Sequence, residues 1–373
     1  MATDVESPAK PADLAPTRPS LKITGLHIRN LKSIEALDLP ADGLGWDGPI
    51  PDMLMIGGIN GSGKTTLLEL LATAFGLLFH TQPSRGGIES ARRFSDVEAR
   101  VEFHICFEDH VDATVRVVIG DRDFVADHCG DDGIGYVAKG SHLGEGGISG
   151  IDPALVIGGS TKLLLQKLFE SDSHALRDFP SVVYFPSERR TLVVIEESYK
   201  LPGKDIPHGE FVQRWTPPEK WKDTLEARLY SLRWEDLNDK EEGRPAEATR
   251  FDSYARAFNR FFDGQKQIKW HRAELVVQTK AGAIHGLDGL SSGEKQVILF
   301  MGELLHRWRP GSLILIDEPE LHLHEIFQSK LWDALVQWRE ERGGQVIVAT
   351  QSDYLFRFSD PGIKVLLNRR RSR

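Results

Sequence analysis

One short stretch combines glycines, a lysine and threonines in an order that suits phosphate binding. Gly58, Gly63, Lys64 and Thr65 match the spacing G-x-x-x-x-G-K-[ST], an apolar run precedes them, and an apolar helix-like segment, 67–79, follows. Glycines let backbone N–H groups turn inward around phosphate oxygens, and the new helix directs its positive end at the same anion. Lys64 suits the β- and γ-phosphates, and the Thr65 hydroxyl suits Mg²⁺. The sequence therefore predicts that ATP and Mg²⁺ bind at Asn60, Gly61, Ser62, Gly63, Lys64, Thr65 and Thr66.

A second stretch places two carboxylates directly after an apolar strand. Residues 312–316 are Ser-Leu-Ile-Leu-Ile, and Asp317 and Glu318 follow. At the edge of a parallel sheet, Asp317 is expected near Mg²⁺, as a ligand together with Thr65. Glu318 is expected beside the γ-phosphate, where a carboxylate can orient and polarise an attacking water. A solvated acidic turn is the alternative for this segment alone, but its pairing with a phosphate loop favours the catalytic interpretation.

A third stretch, Leu-Ser-Ser-Gly-Glu-Lys-Gln at 290–296, precedes an apolar helix predicted over 297–308. Ser291 or Ser292 is a good N-cap, and Glu294 lies in the first turn, where an acidic side chain is favourable. By itself, this segment is explained by helix capping. It also lies between the other two motifs, and together with them it has a functional interpretation.

Composition limits the class of protein. The chain has 373 residues, of which 40% are hydrophobic, and a formal net charge of −9, so overall charge does not indicate nonspecific nucleic-acid binding, although a local basic patch remains open. Its two cysteines, Cys106 and Cys129, provide no disulfide framework or metal-finger spacing. No apolar run approaches the roughly 20 residues that span a bilayer, and the N-terminus has no signal-peptide core. A soluble, cytoplasmic protein without membrane contact is expected.

The periodicity of apolar residues predicts an α/β fold. Alternation predicts a strand pair over 21–39 and an antiparallel hairpin layer over 97–119. The glycine-heavy stretch 129–151 is predicted to be a mobile surface loop. Leucines at helical spacing predict a helical insertion between 215 and 262. The last part predicts a hairpin over 275–285, followed by strands and helices over 312–316, 321–341 and 345–350.

Together, the three motifs resemble those of ABC-class ATPases, whose signature resembles L-S-x-G-[EQ]. The segment 318–324, Glu-Pro-Glu-Leu-His-Leu-His, resembles the E-P-E-x-H-L-H of the OLD, RecF and SMC-related group, often labelled AAA-15 or AAA-21. Residues 28–34 resemble that group's opening strand pair, whereas transporter ATPases differ at 318–324. The resemblance covers most of residues 21–355.

The resemblance implies a two-lobed ABC-type P-loop ATPase head with an antiparallel β layer and a helical insertion. It implies that Lys64, Glu318 and Gln351 are catalytic. It also implies that Ser292, Gly293 and Glu294 contact nucleotide, with Ser292 and Gly293 reaching the γ-phosphate held by the partner's Lys64 in a head-to-tail homodimer or a higher oligomer of dimers. The expected organisation is a disordered tail (1–20) and a head (21–373), the head comprising a part with the P-loop and β layer (21–190), a mainly helical insertion (191–265), the signature, Walker B and switch region (266–355) and a basic C-terminal end (356–373).

Two positions depart from the family pattern. Gln351 stands where the family's switch histidine is expected, and glutamine can donate to a γ-phosphate but cannot become cationic. No Q-loop glutamine is evident after the strand 181–185, where Arg189 or Arg190 either faces nucleotide or partner or forms a surface basic pair. His322 and His324 invite a metal interpretation, but the family uses this stretch as a dimer-contacting loop.

The predicted function is a slow ATPase that dimerises on ATP and controls a separate effector protein, a nuclease or similar, in bacterial anti-phage defence. The alternative is a RecF-like ATPase of DNA repair or chromosome maintenance that binds DNA directly, which Arg189, Arg190 and the basic end 368–373 favour weakly. A transporter subunit is a third possibility, against which the 318–324 segment and the hairpin layer argue.

Overall fold

The computed structural model describes the parts of the chain that build the predicted core. Strands β1 to β15 and helices α1 to α8 follow in chain order. The described residues are 19–40, 49–78, 91–107, 111–138, 155–170, 179–187, 212–214, 221–243, 249–272, 274–320, 323–358 and 364–367. The strands are Ser20–Leu31, Ile34–Leu39, Met53–Gly57, Glu98–Phe107, Val111–Gly120, Gly133–Val137, Leu155–Ile157, Val182–Phe185, Val212–Arg214, Lys266–His271, Glu274–Thr279, Ile284–His285, Leu313–Asp317, Gln345–Thr350 and Lys364–Leu366. The helices are Lys64–Leu78, Arg122–His128, Gly159–Glu170, Trp221–Glu241, Arg250–Phe261, Ser292–Arg307, Glu325–Arg342 and Asp353–Phe358.

A parallel sheet forms the centre of the molecule, in the order β15-β3-β14-β13-β8-β9. Its four central strands, β3, β14, β13 and β8, are largely apolar because both of their faces are covered. Along β13, Leu313 and Leu315 face one hydrophobic core, which includes α1, while Ile314 and Ile316 face a second core beneath the helices α4 to α7. These two cores correspond to the predicted two lobes.

The first core is closed by a second sheet, in the order β2-β1-β4-β5-β6-β7. The predicted strand pair and hairpin layer are confirmed, since β2 pairs with β1, β1 with β4 and β4 with β5, all antiparallel. Ser20, which was predicted to end the disordered tail, belongs to β1. Residues 1–18 lie outside the described part of the chain.

The prediction of a mobile loop over 129–151 is wrong for its first part. Gly133–Val137 forms the buried strand β6, which pairs parallel to β5 and antiparallel to β7. The glycines serve close packing: a Cβ on Gly133 would lie 1.9 Å from the Cys129 carbonyl oxygen, and one on Gly135 would lie 2.3 Å from Val125 Cγ1. Residues 139–151 lie outside the described residues.

The helical insertion is confirmed as α4 and α5, and α6 packs against both. The predicted hairpin over 275–285 is part of a three-stranded sheet that also includes β10, a strand that the periodicity did not predict. The helix predicted from residue 321 begins instead at Glu325, because His324 is its N-cap. Among the described residues, no helix is both long enough and apolar enough to cross a bilayer.

Candidate nucleotide site

The phosphate loop, the two carboxylates and Gln351 lie at the ends of three adjacent strands of the parallel sheet. β14 pairs with β3 on one side and β13 on the other. The phosphate loop follows β3, Asp317 and Glu318 end β13, and Gln351 follows β14. The carboxyl ends of parallel strands meet at one edge, where α/β proteins bind their ligands. The strand order therefore gathers these side chains.

The loop between β3 and α1 has the backbone form that phosphate binding requires. Gly61 and Gly63 have φ values of 78° and 97°, a region that favours glycine. A Cβ on Gly58 would lie 2.4 Å from Ser62 Oγ, so this position also requires glycine. Lys64 begins α1, so the positive end of that helix faces the loop.

The Lys64 amine lies inside this loop. Its Nζ donates to the carbonyl oxygens of Gly58 at 2.8 Å and Ile59 at 3.2 Å. The same nitrogen lies 3.9 Å from Glu318 Oε1, and the Lys64 side chain is only 4% exposed. A cation is therefore already held at the position that the motif assigns to the phosphates.

Thr65 and Asp317 form the pair that was predicted to bind Mg²⁺. The Thr65 hydroxyl donates to Asp317 Oδ2 at 2.6 Å. Burial raises the pKa of Asp317, while nearby Thr65, Ser187 and Lys64 partly oppose the rise. Asp317 Oδ1 is buried and has no hydrogen-bond partner of good geometry among the described residues. Hard oxygen donors with one unpartnered carboxylate oxygen fit Mg²⁺, which takes one or two carboxylates together with substrate phosphates.

Glu318 and Gln351 meet across the ends of β13 and β14. Glu318 has a φ of 46°, in the left-handed region, and its N–H donates to the Ala349 carbonyl at 2.8 Å. Gln351 Nε2 donates to Glu318 Oε2 at 3.3 Å. The predicted hydrolytic carboxylate and the predicted switch residue are thus direct neighbours.

Glu320 is a site residue that sequence reasoning did not single out. Its buried Oε1 accepts from Thr350 Oγ1 at 2.7 Å, from the Gln351 N–H at 2.8 Å and from the Ser352 N–H at 3.1 Å. These donors lie about thirty positions away in the chain, and the pairing of β13 with β14 brings them together. The sequence signal available was its place in the resemblance at 318–324.

The turn between β1 and β2 also reaches the phosphate loop. The Ser33 hydroxyl donates to the Gly61 carbonyl oxygen at 2.5 Å. A Cβ on Gly63 would lie 3.0 Å from Ile34 Cγ1, so β2 packs directly against the loop. Lys32 is exposed in this turn and has a φ of 48°. The sequence placed this turn in a strand pair but did not predict its contact with the loop.

The signature segment forms the start of α6. Ser291 is the N-cap and forms a capping box with Glu294, which also accepts from Lys266 Nζ at 2.8 Å. Burial opposes the ionisation of Glu294, but the bonds from Lys266 and Ser291 prevail and lower its pKa. Ser292 is exposed and Gly293 half-buried. Among the described residues, no hydrogen bond or ion pair joins Ser292, Gly293 or Glu294 to the phosphate loop of the same chain.

Several residues for which the sequence suggested a role lie outside the described part of the chain. These include Arg189, Arg190, His322 and the basic end 368–373. His324 is described, and its Nδ1 accepts from the Ile326 N–H at 3.5 Å as a helix cap. The described part of the chain contains no group of three His, Cys, Asp or Glu side chains suited to a metal ion.

Comparison with known families identifies the domain. Residues 159–357 match a family described as "AAA_21: AAA domain, putative AbiEii toxin, Type IV TA system". The chain belongs to this family. AAA_21 membership confirms the predicted resemblance to ABC-class ATPases, and the domain is an ATPase of the AAA type. The matched span contains the signature, Asp317, Glu318 and Gln351, and the fold adds the phosphate loop from outside it.

Solved structures similar to this AAA_21 domain include SMC heads. The SMC head domain from Thermotoga maritima aligns with a TM-score of 0.43 and 15% identity, over 91% of this chain and 92% of that one. An SMC head bound to the C-winged helix domain of ScpA aligns with a TM-score of 0.40 and 13% identity, over the same shares. An SMC head with an extended coiled coil, bound to the C-terminal domain of ScpA derived from Pyrococcus furiosus, gives the same values. No curated protein sequence matches the chain.

Proposed function

We propose that the chain binds ATP with Mg²⁺ at the edge formed by β3, β13 and β14, and hydrolyses it. The observation that carries this proposal is the convergence of Lys64, Thr65, Asp317, Glu318 and Gln351 from three separate segments at one sheet edge. A chance glycine-rich turn would not bring a buried lysine, a hydroxyl–carboxylate pair and a second carboxylate together.

Nucleotide binding is assigned to the phosphate loop, residues 60–66. Its backbone N–H groups and the start of α1 face the phosphates. The Lys64 amine exchanges the carbonyls of Gly58 and Ile59 for β- and γ-phosphate oxygens. Thr65 and Asp317 would hold Mg²⁺, which would supply positive charge beside the phosphate oxygens.

Hydrolysis is assigned to Glu318 and Gln351. Glu318 is 14% exposed, so its carboxylate can meet a water at the γ-phosphate and orient it. It accepts the water's proton as the new P–O bond forms and the bond from the γ-phosphorus to the bridging oxygen breaks, with ADP as the leaving group. Gln351 Nε2, 3.3 Å from that carboxylate, then donates to the same water or to a phosphate oxygen. Because this donor is neutral, it matches developing phosphoryl charge less well than a cationic histidine. Slow hydrolysis follows from this difference.

The signature segment is assigned to a partner copy. In a head-to-tail dimer, the exposed N-terminal turn of α6, with Ser292, Gly293 and Glu294, closes over the nucleotide that the other copy holds. Each copy then uses both surfaces once, as a two-fold interface requires. Control of a separate effector in defence is carried over from the resemblance. The family description names a putative toxin of a type IV toxin–antitoxin system, which supports the defence part of this proposal and not the identity of a partner.

The first test compares the wild type with Lys64→Ala and Glu318→Gln. Calorimetric titration with Mg·ATP should show binding by the wild type and by Glu318→Gln, and loss of binding by Lys64→Ala. Phosphate release should be slow in the wild type and nearly absent in both variants. Lys280→Ala and Glu340→Gln remove the same charges at exposed positions and serve as matched controls. Unchanged ATP affinity in Lys64→Ala would refute the assignment of the phosphate loop.

A second test addresses the effector. The Glu318→Gln protein, held with Mg·ATP, should retain a partner in a native pull-down that Lys64→Ala does not retain. Salt-sensitive binding of plain duplex DNA with a steep log–log slope, and no protein partner, would instead favour the RecF-like alternative.

A further inference from the structure

The turn after β14 is held by a single carboxylate oxygen. Glu320 Oε1 accepts from the Thr350 hydroxyl and from the backbone N–H groups of Gln351 and Ser352, at 2.7, 2.8 and 3.1 Å. Glu320 is only 7% exposed, and its Oε2 is buried with no hydrogen-bond partner among the described residues. Burying a carboxylate is costly, and three donors on one oxygen offset that cost. The carboxylate therefore fixes the turn over 350–352.

This turn determines where the Gln351 side chain points. With its own N–H and that of Ser352 bound to Glu320, the Gln351 backbone is held at both of its peptide units. Its side chain then reaches Glu318 Oε2 at 3.3 Å. Glu318 is tied back to the same strand end through its N–H, which donates to Ala349. The two turns therefore hold each other at the place where the γ-phosphate is proposed to bind.

The same turn is linked to the segment that precedes α7. Ser352 Oγ donates to Gln328 Oε1 at 2.7 Å, and Gln328 Nε2 donates to the Leu323 carbonyl at 2.9 Å. Leu323 lies in the stretch expected to face a partner copy. A shift of this stretch would therefore be transmitted to Ser352, one residue from Gln351.

We propose that Glu320 is a positioning residue for ATP hydrolysis, which acts by holding the 350–352 turn so that the Gln351 amide lies against Glu318. It does not itself touch substrate. This inference rests on the proposed ATPase function of the site. It predicts that the effect of Glu320 on the rate passes through the side chain of Gln351.

A double-mutant cycle tests this coupling. Glu320→Gln keeps the size of the side chain but replaces the charged acceptor with an amide. Single-turnover hydrolysis of Mg·ATP should fall about 10- to 100-fold, because small displacements of a catalytic group have effects of this size. The dissociation constant for Mg·ATP should change by less than about twofold, since Glu320 lies outside the phosphate loop. In the Gln351→Ala background, the same substitution should lower the rate by less than about twofold.

Amide hydrogen exchange supplies a readout that does not depend on chemistry. Exchange at Gln351 and Ser352 should be faster in Glu320→Gln, and unchanged in the control Glu340→Gln, which removes an exposed charge from α7. If Glu320→Gln does not fold, Thr350→Val removes one of the three donors, and its smaller rate loss should likewise vanish in Gln351→Ala.

The outcomes separate the two proposals. Suppose that the wild type hydrolyses ATP. If Glu320→Gln then lowers the single-turnover rate equally in the wild-type and Gln351→Ala backgrounds, or does not lower it at all, the positioning role is overturned and the ATPase assignment stays intact. A wild type that binds Mg·ATP but never hydrolyses it overturns the proposed hydrolysis, and the positioning role with it. Unchanged exchange at Gln351 and Ser352 also overturns the positioning role.

Discussion

Asp317→Asn should stabilise the nucleotide-free protein and at the same time reduce its stabilisation by Mg·ATP. The Asp317 side chain is completely buried, and its Oδ1 has no hydrogen-bond partner of good geometry among the described residues. Burial of this charge opposes folding more than its contacts with Thr65, Ser187 and Lys64 favour it, whereas the same charge is the proposed Mg²⁺ ligand. One substitution should therefore shift the free energy of unfolding in opposite directions in the two states.

The magnitude follows from the contacts of the carboxylate. Desolvating such an ion costs several kcal/mol, and a hydrogen bond such as that from Thr65 returns about 1.5–3 kcal/mol. Asparagine keeps an acceptor for Thr65 and avoids most of the desolvation, but it loses the attraction of Lys64 and weakens the bonds from Ser187, so the variant should gain about 1 kcal/mol. In a chain of 373 residues, this gain corresponds to an increase in Tm of about 1–3 °C. At Mg·ATP concentrations of about 100 times Kd, the wild type should gain about 2.7 kcal/mol, which the variant largely loses.

The difference in stability between Asp317→Asn and the nucleotide-free wild type should also depend on pH. Burial raises the pKa of Asp317 above its ordinary value of 3.8. The folded state therefore holds this proton more tightly than the unfolded state does. The contribution of this proton to the free energy of unfolding is complete below the unfolded pKa and is lost as pH rises through the folded pKa. The advantage of the asparagine variant should consequently be small below pH 3.8 and grow as pH rises above that value, until Asp317 is ionised in the folded state.

Thermal unfolding at several pH values, with and without Mg·ATP, provides the measurement. Asp333→Asn, an exposed change on α7, is the control for altered net charge. A variant that melts below the wild type without nucleotide would contradict the stated cost of burial. An equal rise in Tm with Mg·ATP in both proteins would remove Asp317 from the metal site.

Three further predictions concern turnover. Glu318→Gln should retain ATP affinity, slow hydrolysis about 10²- to 10⁴-fold and accumulate an ATP-bound dimer in light scattering; a wild-type rate would exclude Glu318 as the catalytic carboxylate. Ser292→Arg should impair dimer closure, and mixing it with Lys64→Ala should restore activity through heterodimers with one intact site; no recovery during subunit exchange would argue against sites shared between copies. Gln351→His should raise the single-turnover rate about 10-fold or more, because a charged donor replaces a neutral one; equal rates would refute the idea of a slowed switch.

The sequence predicted which side chains would meet at the sheet edge where motif chemistry and strand order coincide. Lys64 and Asp317 each follow an apolar run, and parallel strands bring their carboxyl ends to the same edge of the sheet. Two local patterns were therefore enough to expect their proximity. No local pattern marks Glu320, because its partners, Thr350 to Ser352, are distant in the chain. They come close to it only through the pairing of β13 with β14.

Glycine-rich segments show why local composition misled the prediction elsewhere. In the phosphate loop, Gly61 and Gly63 have positive φ values, which is the property the motif implies. In β6, Gly133 and Gly135 instead leave room for the neighbouring turn and helix α2. The same residue type thus serves backbone conformation in one place and close packing in the other, and only the tertiary contacts distinguish them.

The contacts between the two turns at the sheet edge bear on how the ATPase would be regulated. Glu318 adopts a left-handed backbone conformation, which for a residue with a side chain costs on the order of 1 kcal/mol or more and persists only where neighbours hold it. Here the neighbours include Ala349 and Gln351, and the second of these is fixed by Glu320. The proposed hydrolytic group therefore depends on a turn that is itself linked, through Gln328, to the segment expected to meet a partner copy. Slow hydrolysis, expected from the neutral Gln351 donor, and this link through Gln328 together suit a switch that responds to assembly. They suit a motor that turns over continuously less well.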